Sequence, residues 1–447
     1  MEVHVSLGGR ENLSASIHRQ LRQAILDGRL RPREPLPPTR EMARRLKVAR
    51  GTVTAAYDRL WGEGFVVSRV GAGTFVSDHL PRVAHNAPDR QPTGPLRARP
   101  VWESVSLATG FAREARYDFR TGLPDATLFP YGAWRRLIAR HMVPEAPGRG
   151  VYGHPAGHAR LREAIARHVG ISRGVQALPE DVVITNGTQQ ALDIIARVIL
   201  EPGDVIAVEA PGYMPPDMLF RSLGLAVRGV RVDRQGLDVA ALPETARLVY
   251  VTPSHQYPLG MAMSLQRRLA LLSWADAHNA AIVEDDYDSE FRFGGRPIEP
   301  LQTLDRNGRV IYVGSFSKTM LPTLRLGFVV APPALRDAVY KAKYVTDWHS
   351  ALPAQGALAE FIDQGGFARH IRKLRSVYEK RHHLIRAILA RDFDKQLEVV
   401  PSAAGLHLTA LVLEPYAHHT PTIVRRAADL GVEVHELSQV AARAKGQ

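Results

Sequence analysis

The chain has 447 residues and a mass of 49.4 kDa, which suggests about three domains, or one large domain and one small one. Hydrophobic residues make up 45% and charged residues 23%, enough for a sizeable core, and the lack of cysteine excludes disulfides, a thiol nucleophile and a cysteine-ligated zinc ion. The net charge of +13 is uneven, because residues 1–116 hold 19 basic and 11 acidic side chains. This excess fits a polyanion partner and an arginine-rich solvated surface equally well.

Three regions follow one another along the chain. Residues 1–77 carry short helical patterns that end in a glycine-rich hairpin, residues 78–116 are rich in proline and arginine and predict a linker, and residues 117–447 alternate apolar runs with helical segments. No apolar run approaches the ~20 residues that cross a bilayer, and the N-terminus lacks the apolar core of a signal peptide. We therefore expect a cytoplasmic protein without a membrane partner.

The first region has the pattern of a helix-turn-helix followed by a β-hairpin. Apolar residues recur every four positions from Ile17 to Ile25 and predict an amphipathic helix. A second helix is predicted with Thr39 as its N-cap, and a third begins at Arg50 after a tight turn. Residues 65–76, FVVSRVGAGTFV, then predict a two-stranded wing. A helix placed in this way can enter the major groove of DNA, although many helical hairpins share the pattern.

The whole region resembles the winged helix-turn-helix of GntR-type transcription regulators. The resemblance rests on LPPTREMA, VARGTVTAAYDRL, EG and GAGTFV, which occur in this order. It implies double-stranded promoter DNA as a partner. The residues that it assigns to DNA contact are Thr39, Arg40, Arg50, Gly51, Thr52, Arg69, Gly71, Gly73 and Thr74. Ala49 departs from the family pattern, which often has a serine there, so a helix cap or phosphate contact is missing.

The third region predicts an α/β fold with a mainly parallel sheet. Runs such as DVIAVEA, RLVYV, AAIVEDD and RVIYVGS are continuous in valine and isoleucine, as in strands that are buried on both faces. Open sheets of this kind bind ligands at the carboxyl ends of their strands. Polar residues that follow these runs are therefore candidates for a site.

Lys318 is the first candidate, because it follows the run RVIYVG and is flanked by Ser315 and Ser317. An amine becomes a nucleophile toward an aldehyde when a nearby cation or desolvation lowers its pKa. Arg325 could supply that charge and bind a phosphate with two hydrogen bonds.

Other strand ends supply partners for such chemistry. Asp285 could keep a pyridine nitrogen protonated, and the phenol of Tyr287 could bond the ring's phenolic oxygen. TNGTQQAL turns from strand into helix and offers an anion site at Gly187, Thr188 and Gln189. Tyr213 could stack on a planar ring or simply pack in the core. The acidic run that contains Asp285 could instead bind a divalent metal, but it lacks histidine or further oxygen ligands at a known spacing, and we predict no metal.

Over residues 117–437 these motifs resemble the pyridoxal 5′-phosphate-dependent aminotransferases of fold type I. They are, in chain order, GLPD, Tyr152 with Gly157, TNGTQQAL, EAPGY, TPSHQYPLG, EDDYDSEF, SFSK and LRLG. The resemblance implies this cofactor as an aldimine on Lys318, with Asp285 at the ring nitrogen, Tyr287 at the ring oxygen and Tyr213 stacked on the ring. The residues that it assigns to the phosphate are Ser315, Ser317, Arg325, Thr188 and Gln189. Tyr152 matches a tyrosine that reaches the partner subunit's phosphate, which implies a homodimer.

A GntR-like DNA-binding domain (called the reader below) followed by this fold is typical of MocR-type regulators. The strings TPSHQ and EDDYDSEFR are similar to that subfamily. Tyr257 replaces an asparagine of many aminotransferases, which leaves His255 or Gln256 to supply a second bond to the ring. Family members continue past the equivalent of residue 437 with a strand whose arginine binds the ligand carboxylate, and then a helix. This chain ends in GVEVHELSQVAARAKGQ with neither, so either the chain is shortened or the carboxylate partner is elsewhere, at Arg120 or absent.

Three functions fit these features. The leading hypothesis is a transcription regulator that senses a small amino acid or amine through pyridoxal phosphate, with transaminase activity weak at most. The second is an active aminotransferase with a DNA-binding appendage. The third is a DNA-binding protein whose sensor domain has decayed.

Overall fold

The chain divides into two units, residues 1–97 and 98–447. The computed structural model describes residues 12–69, 71–78, 97–105, 115–143, 151–293, 298–402 and 404–442. Most of the predicted linker lies outside these residues. None of the described helices is long and apolar enough to span a membrane.

The first unit is a three-helix reader with a β-hairpin. Its elements are α1 (Leu13–Leu26), α2 (Thr39–Leu46), α3 (Arg50–Gly62), β1 (Val66–Arg69) and β2 (Gly73–Val76). The predicted apolar face of α1 is buried at Ile17, Leu21 and Ile25, where it packs with α3 and the hairpin. The strands pair antiparallel from Val66 opposite Val76 to Arg69 opposite Gly73, which confirms the predicted wing.

The start of α2 differs from the prediction. Thr39 is the first residue of the helix, Pro38 occupies the N-cap position in an extended conformation, and no side chain caps this end. The Thr39 hydroxyl instead accepts a weak hydrogen bond from Arg50 Nε at 3.4 Å. Proline has no side-chain acceptor, so it cannot cap the free N–H groups of the first turn of α2. At the start of α3, Ala49 provides no side-chain cap, as its sequence predicts.

The second unit contains the remaining elements. Its helices are α4 (Tyr131–Arg140), α5 (Ala159–Arg173), α6 (Thr188–Ile199), α7 (Met214–Ser222), α8 (Leu265–Ala277), α9 (Leu301–Leu304), α10 (Arg336–Asp347), α11 (Leu352–Asp363), α12 (Gly366–Asp392), α13 (Thr420–Asp429) and α14 (Leu437–Val440). Its strands are β3 (Tyr117–Asp118), β4 (Val182–Thr185), β5 (Val205–Ala210), β6 (Gly212–Tyr213), β7 (Ala226–Asp233), β8 (Gly236–Leu237), β9 (Ala246–Val251), β10 (Ala281–Asp286), β11 (Val310–Ser315), β12 (Gly327–Val330), β13 (Leu397–Val399), β14 (Ala410–Val412), β15 (Val432–Glu433) and β16 (Ala441–Ala442).

An eight-stranded sheet is the centre of this unit, in the order β4-β12-β11-β10-β9-β5-β7-β8. The pairs β11-β10, β10-β9, β9-β5 and β5-β7 are parallel, whereas β12 runs antiparallel to both of its neighbours. The sheet is therefore mainly parallel, which confirms the predicted fold class.

Both faces of the sheet are buried, as continuous apolar strands require. On β11, Ile311 and Val313 belong to a core cluster with Leu192 of α6, whereas Tyr312 belongs to a second cluster with Leu161 of α5. Helices cover the two faces, so the carboxyl ends of the parallel strands form an edge where polar side chains can meet.

The C-terminal segment contains two short elements. The sequence predicts that the family's arginine-bearing strand and closing helix are missing here; the structure adds only a short helix, α14 (Leu437–Val440), and the two-residue strand β16, which pairs antiparallel with β6. The pairing places Ala441 opposite Tyr213. Backbone pairing of this kind needs no long apolar run, which is why the sequence pattern does not indicate it.

Candidate functional site

A cavity of about 120 Å³ lies at the carboxyl edge of the sheet. The residues that line it are Gly122, Thr188, Gln189, Tyr213, Tyr250, Thr252, Tyr257, Asp285, Tyr287, Asp288, Ser315, Ser317, Lys318, Arg325, Leu406 and His407. Nine of the residues that the sequence singled out therefore meet around one space. They come from the ends of β10 and β11, from β6, from the start of α6 and from the segments that follow β10 and β11, because parallel strands end at the same edge.

The amine of Lys318 is partly buried in this cavity. Its Nζ donates to the backbone oxygen of Gly122 at 2.6 Å, so the GLPD motif lies against the lysine. Burial lowers the pKa of Lys318, and the negative charges of Asp288 and Asp285 partly oppose this effect. A lowered pKa raises the fraction of neutral amine, which is the form that attacks an aldehyde.

Asp285 has one carboxylate oxygen that lacks a partner. Its Oδ2 accepts from the hydroxyl of Tyr250 at 2.7 Å, whereas its Oδ1 is buried and has no hydrogen-bond partner among the described residues. Burial raises the pKa of Asp285 to about 7, although the bond from Tyr250 opposes the rise. An unsatisfied buried carboxylate oxygen is costly unless a ligand supplies a donor, so the site suits a cationic N–H such as that of a pyridinium ring.

The opposite part of the cavity suits an anion. Thr188 and Gln189 are the first residues of α6, whose N-terminal N–H groups lack intrahelical partners and carry the positive end of the helix dipole. Arg325 lines the cavity together with Thr188 and Gln189, and its Nη2 donates to the backbone oxygen of Asn186 at 2.7 Å. The Ser317 backbone N–H donates to Ser315 Oγ at 3.1 Å, which fixes the turn before Lys318.

Close backbone approach explains two glycines at this end. Gly187 has a φ of 81°, and a Cβ there would meet the Arg325 guanidinium at 2.6 Å. A Cβ at Gly327 would lie 2.9 Å from the Cα of Gly187. Gly187 does not line the cavity itself, but its lack of a side chain lets Arg325 lie next to the start of α6.

Three tyrosines besides Tyr250 line the cavity. The ring of Tyr213 meets that of Tyr257 edge to face at 5.3 Å, and Tyr257 bonds the Thr121 hydroxyl at 3.2 Å. Tyr287 also lines the cavity, but its hydroxyl donates to the backbone oxygen of His255 at 2.9 Å. A bond from Tyr287 to a ring oxygen would have to replace that one. His255 and Gln256, the residues expected to supply the bond of the missing asparagine, are buried and are not among the described residues that line the cavity. Tyr257, which stands in the asparagine's position, does line it.

Tyr152 lies elsewhere on the same chain. Its side chain is 72% exposed, and its ring stacks on Trp348 with centroids 4.3 Å apart. It is absent from the described lining of its own cavity. The expectation that it serves the partner subunit remains a prediction.

Arg120 is paired rather than available as the carboxylate partner. Its Nε and Nη2 donate to the two oxygens of Asp118 at 2.9 and 2.5 Å. This two-bond ion pair lowers the pKa of Asp118. Asp118 therefore already occupies the arginine's fork.

The acidic run does not gather around one point. Glu284 accepts backbone N–H bonds from Leu301 and Gln302, and Asp286 bonds Arg173 and Tyr312 at 2.8 and 2.6 Å. Asp288 instead bonds His255 Nδ1 at 3.0 Å. These acidic residues therefore have separate partners. Among the described residues, the ligand atoms of His255, Asp288 and His407 do lie within 4.8 Å of one another, a grouping that the sequence did not indicate.

The sequence prediction missed several lining residues. Tyr250 is the partner of Asp285, and its signal was a hydroxyl within the otherwise apolar run RLVYV. His407 is buried beside His255, with ring centroids 4.5 Å apart, and burial lowers its pKa to about 3. It is far in sequence from the other motifs, so no local pattern pointed to it.

The reader unit presents its predicted residues on the surface. Arg40, Arg50, Gly51, Arg69, Gly71 and Gly73 are exposed, and Thr39, Thr52 and Thr74 are partly exposed. Arg50 and Gly51 begin α3, the helix in the position to enter a major groove. The Arg69 guanidinium lies over the Phe75 ring at 5.1 Å, so it rests against the wing.

Two family models match this chain, one for each unit. The bacterial regulatory proteins of the gntR family match residues 13–76, and aminotransferase class I and II matches residues 125–435. Fold and site thus define a class of protein in which a winged helix-turn-helix reader precedes an aminotransferase fold.

Relatives narrow this class. The chain is 39% identical to the probable rhizopine catabolism regulatory protein MocR of Rhizobium meliloti, over 95% of this chain and 86% of that protein. It is 31% identical to the HTH-type pyridoxine biosynthesis transcriptional regulator PdxR of Corynebacterium glutamicum, over 96% of this chain and 88% of that protein. The chain therefore belongs to the MocR family of helix-turn-helix transcriptional regulators, which confirms the resemblance noted in its sequence.

Solved structures agree with the fold. Pyrococcus horikoshii kynurenine aminotransferase in complex with PMP is 28% identical, with a TM-score of 0.68, over 79% of this chain and 88% of that one. The α-aminoadipate aminotransferase LysN of Thermus thermophilus, complexed with N-(5′-phosphopyridoxyl)-L-leucine, is 31% identical, with a TM-score of 0.63, over 70% and 81%.

Proposed function

We propose that this regulator binds pyridoxal 5′-phosphate in the cavity beside Lys318 and uses it to sense a small amino compound, an amino acid or an amine. The observation that carries the proposal is the pairing, in one cavity, of a partly buried amine with a buried carboxylate oxygen that lacks a donor. These are the two groups that a pyridine aldehyde requires, one for its aldehyde and one for its ring nitrogen. Two solved relatives hold PMP or a phosphopyridoxyl adduct.

The residues of the chain divide the work of holding this cofactor. Lys318 would supply the amine for the cofactor's aldehyde, Asp285 would hold the ring nitrogen protonated, and Tyr213 and Tyr287 would contact the ring; all four line the cavity. The phosphate is assigned to Ser315, Ser317, Arg325, Thr188 and Gln189, with Gly187 allowing their close approach. The bound cofactor supplies an electrophilic carbon that an incoming amine can take over from the lysine. We propose that Tyr152 serves the cavity of the partner subunit in a homodimer.

An amino compound that replaced Lys318 at the aldehyde carbon would leave the lysine free and make contacts of its own. It would regulate the protein if it bound two arrangements of the protein with different affinity. The reader binds promoter DNA through the exposed residues at the starts of α2 and α3 and in the wing. The named relatives concern rhizopine catabolism and pyridoxine biosynthesis, so their names do not converge on one effector.

A spectral titration tests the sensor. We expect purified protein loaded with pyridoxal phosphate to be yellow, and Lys318→Ala to lose the absorption band of the lysine-bound form. When a panel of amino acids and amines is added to the loaded protein, at least one compound should shift this band. The shift should saturate at one bound compound per cofactor. A folded wild-type protein that binds no pyridoxal phosphate but still binds DNA would favour the decayed sensor.

Two further measurements separate the regulator from the enzyme. Turnover of the effector with 2-oxoglutarate would favour an active aminotransferase. Sequence-selective DNA binding that weakens with salt and is weaker in Arg50→Ala, without turnover, supports the regulator. Asp58→Ala is a matched control, because Asp58 is an exposed residue in the middle of α3.

A further inference from the structure

An ion pair between a buried lysine and a partly exposed aspartate lies next to the segment that begins α6. Lys343 of α10 is fully buried, and its Nζ donates to Asp347 Oδ1 one turn further along the helix and to Ser350 Oγ at 3.3 Å. Burial lowers the pKa of Lys343, and the carboxylate of Asp347 opposes that effect. Lysine is almost never fully buried unless it is paired, so this pair compensates a substantial desolvation cost.

The second oxygen of Asp347 connects this pair to α6. Asp347 Oδ2 accepts from Asn186 Nδ2 and from Gln190 Nε2, each at 2.7 Å. The Gln190 side chain in turn accepts from the backbone N–H of Asn186 at 2.8 Å. One carboxylate oxygen therefore holds both ends of the segment 186–190, which contains the first residues of α6 and the glycine before them.

The same segment is bonded from the cavity side. Arg325 Nη2 donates to the Asn186 backbone oxygen at 2.7 Å. Between the two anchored residues, Gly187 has a φ of 81° and no side chain to fix its conformation. A glycine in this position depends on its neighbours for its conformation, since its backbone is the most permissive of all residues.

A buried ion pair is weak evidence for stability, because well-packed apolar residues often stabilise as much. The bonds from Asn186 and Gln190 to Asp347 suggest another role for the pair, because the segment between these residues contains Thr188 and Gln189, which are candidates for binding the phosphate. We propose that Asp347, with its charge compensated by Lys343, is a positioning residue that holds residues 186–190 in the conformation that presents the start of α6 to the phosphate of the cofactor. This proposal rests on the proposed function.

A comparison of two aldehydes isolates the phosphate. Pyridoxal 5′-phosphate and pyridoxal both link to Lys318, but only the first has a phosphate. In Asp347→Asn, we expect the Kd of the cofactor-free protein for pyridoxal phosphate to rise about tenfold, or about 1.4 kcal/mol, while that for pyridoxal changes less than about twofold. The ratio of the two affinities is the readout, because general damage to the fold weakens both.

A second variant avoids leaving the Lys343 charge without a counter-ion. Asn186→Ala removes one bond to Asp347 but retains the ion pair, and we expect a rise of about threefold in Kd for pyridoxal phosphate only. Asp193→Asn is the matched control on α6, because Asp193 pairs with the exposed Arg197, and we expect the ratio to stay unchanged.

Each outcome is decisive. An unchanged ratio in both test variants overturns the positioning role, as does an equal loss of affinity for both aldehydes in Asn186→Ala. A folded wild-type protein that binds neither aldehyde overturns the proposed function and this inference together. Wild-type binding with an unchanged ratio overturns only the inference.

Discussion

Replacing Asp285 with asparagine is expected to have opposite effects on the cofactor-free and cofactor-bound protein. Asparagine keeps the shape of the side chain and an oxygen that can accept from Tyr250, whose hydroxyl donates at 2.7 Å. It removes the negative charge that is buried with an unpartnered oxygen. The cofactor-free variant should therefore be more stable at alkaline pH, whereas affinity for pyridoxal phosphate should fall.

The size of the effect follows from the pKa of Asp285, which burial raises from 3.8 to about 7. A shift of about three units has an upper limit of about 4 kcal/mol. The new amide N–H₂ would lack partners in the same place, which offsets part of this. We expect a gain of about 1–2 kcal/mol in the free energy of unfolding at pH 8.

The pH dependence has a defined sign. Between pH 4 and pH 7 the folded protein retains a proton on Asp285 that the unfolded chain has lost, so this residue lowers stability as pH rises through that range. The variant should show a shallower decline over the range. Glu209 and Glu284 also have pKa values raised to about 7 by burial, so part of the slope should remain.

Urea unfolding of cofactor-free protein at pH 5 and pH 8 measures this effect, and a titration with pyridoxal phosphate measures the loss of affinity, expected to be at least about tenfold. Asp286→Asn is the control. Asp286 lies on the same strand as Asp285 but is paired with Arg173, so its replacement should lower the free energy of unfolding at both pH values by about 3 kcal/mol. If Asp285→Asn also loses stability at pH 8, the unpartnered carboxylate is not the cost that we infer.

Three other changes test separate parts of the site and the reader. Lys318→Ala should abolish the absorption of the lysine-bound cofactor and leave the far-ultraviolet circular dichroism unchanged, because among the described residues its amine donates a hydrogen bond only to the Gly122 backbone oxygen; a retained band would place the covalent link elsewhere. Tyr250→Phe should weaken pyridoxal phosphate binding about threefold to tenfold in a fluorescence titration, since Asp285 loses its donor; unchanged affinity would show that this bond does not orient the carboxylate. Arg50→Ala should weaken DNA binding and reduce the slope of log affinity against log salt by about one, as measured by fluorescence anisotropy; an unchanged slope would argue against a phosphate contact.

The sheet and the members of the cavity could be predicted because they follow from local patterns and one geometric rule. Apolar runs mark the parallel strands, and the polar residues just after them come together at the carboxyl edge. Lys318, Asp285 and Tyr213 were found in this way, and all three line the same cavity. In the reader, the four-residue periodicity of α1 similarly predicted which of its side chains are buried.

Contacts between distant elements could not be predicted from such patterns. Asp347 lies 161 residues from Asn186, and its role depends on how α10 packs beside α6. Tyr250 offers a hydroxyl in a mostly apolar strand, but the sequence pattern does not indicate that it bonds Asp285, 35 residues away. The prediction of Thr39 as the N-cap of α2 was wrong for a local reason. Both Pro38 and Thr39 suit the start of a helix, and only the backbone conformation decides which of them is the N-cap.

The acidic run on β10 shows how strand geometry separates structure from function. Successive side chains of a strand point to opposite faces, so Asp285 lies on one face and its two neighbours on the other. Asp286 pairs with Arg173 at 2.8 Å, and Glu284 lies 3.9 Å from Arg268, so both charges on that face have cationic partners. Asp285 faces the cavity, where its Oδ1 has no partner among the described residues. Taken as one cluster, the acidic run would resemble a metal site, whereas the alternation of its side chains leaves Asp285 with a buried oxygen that lacks a donor among the described residues.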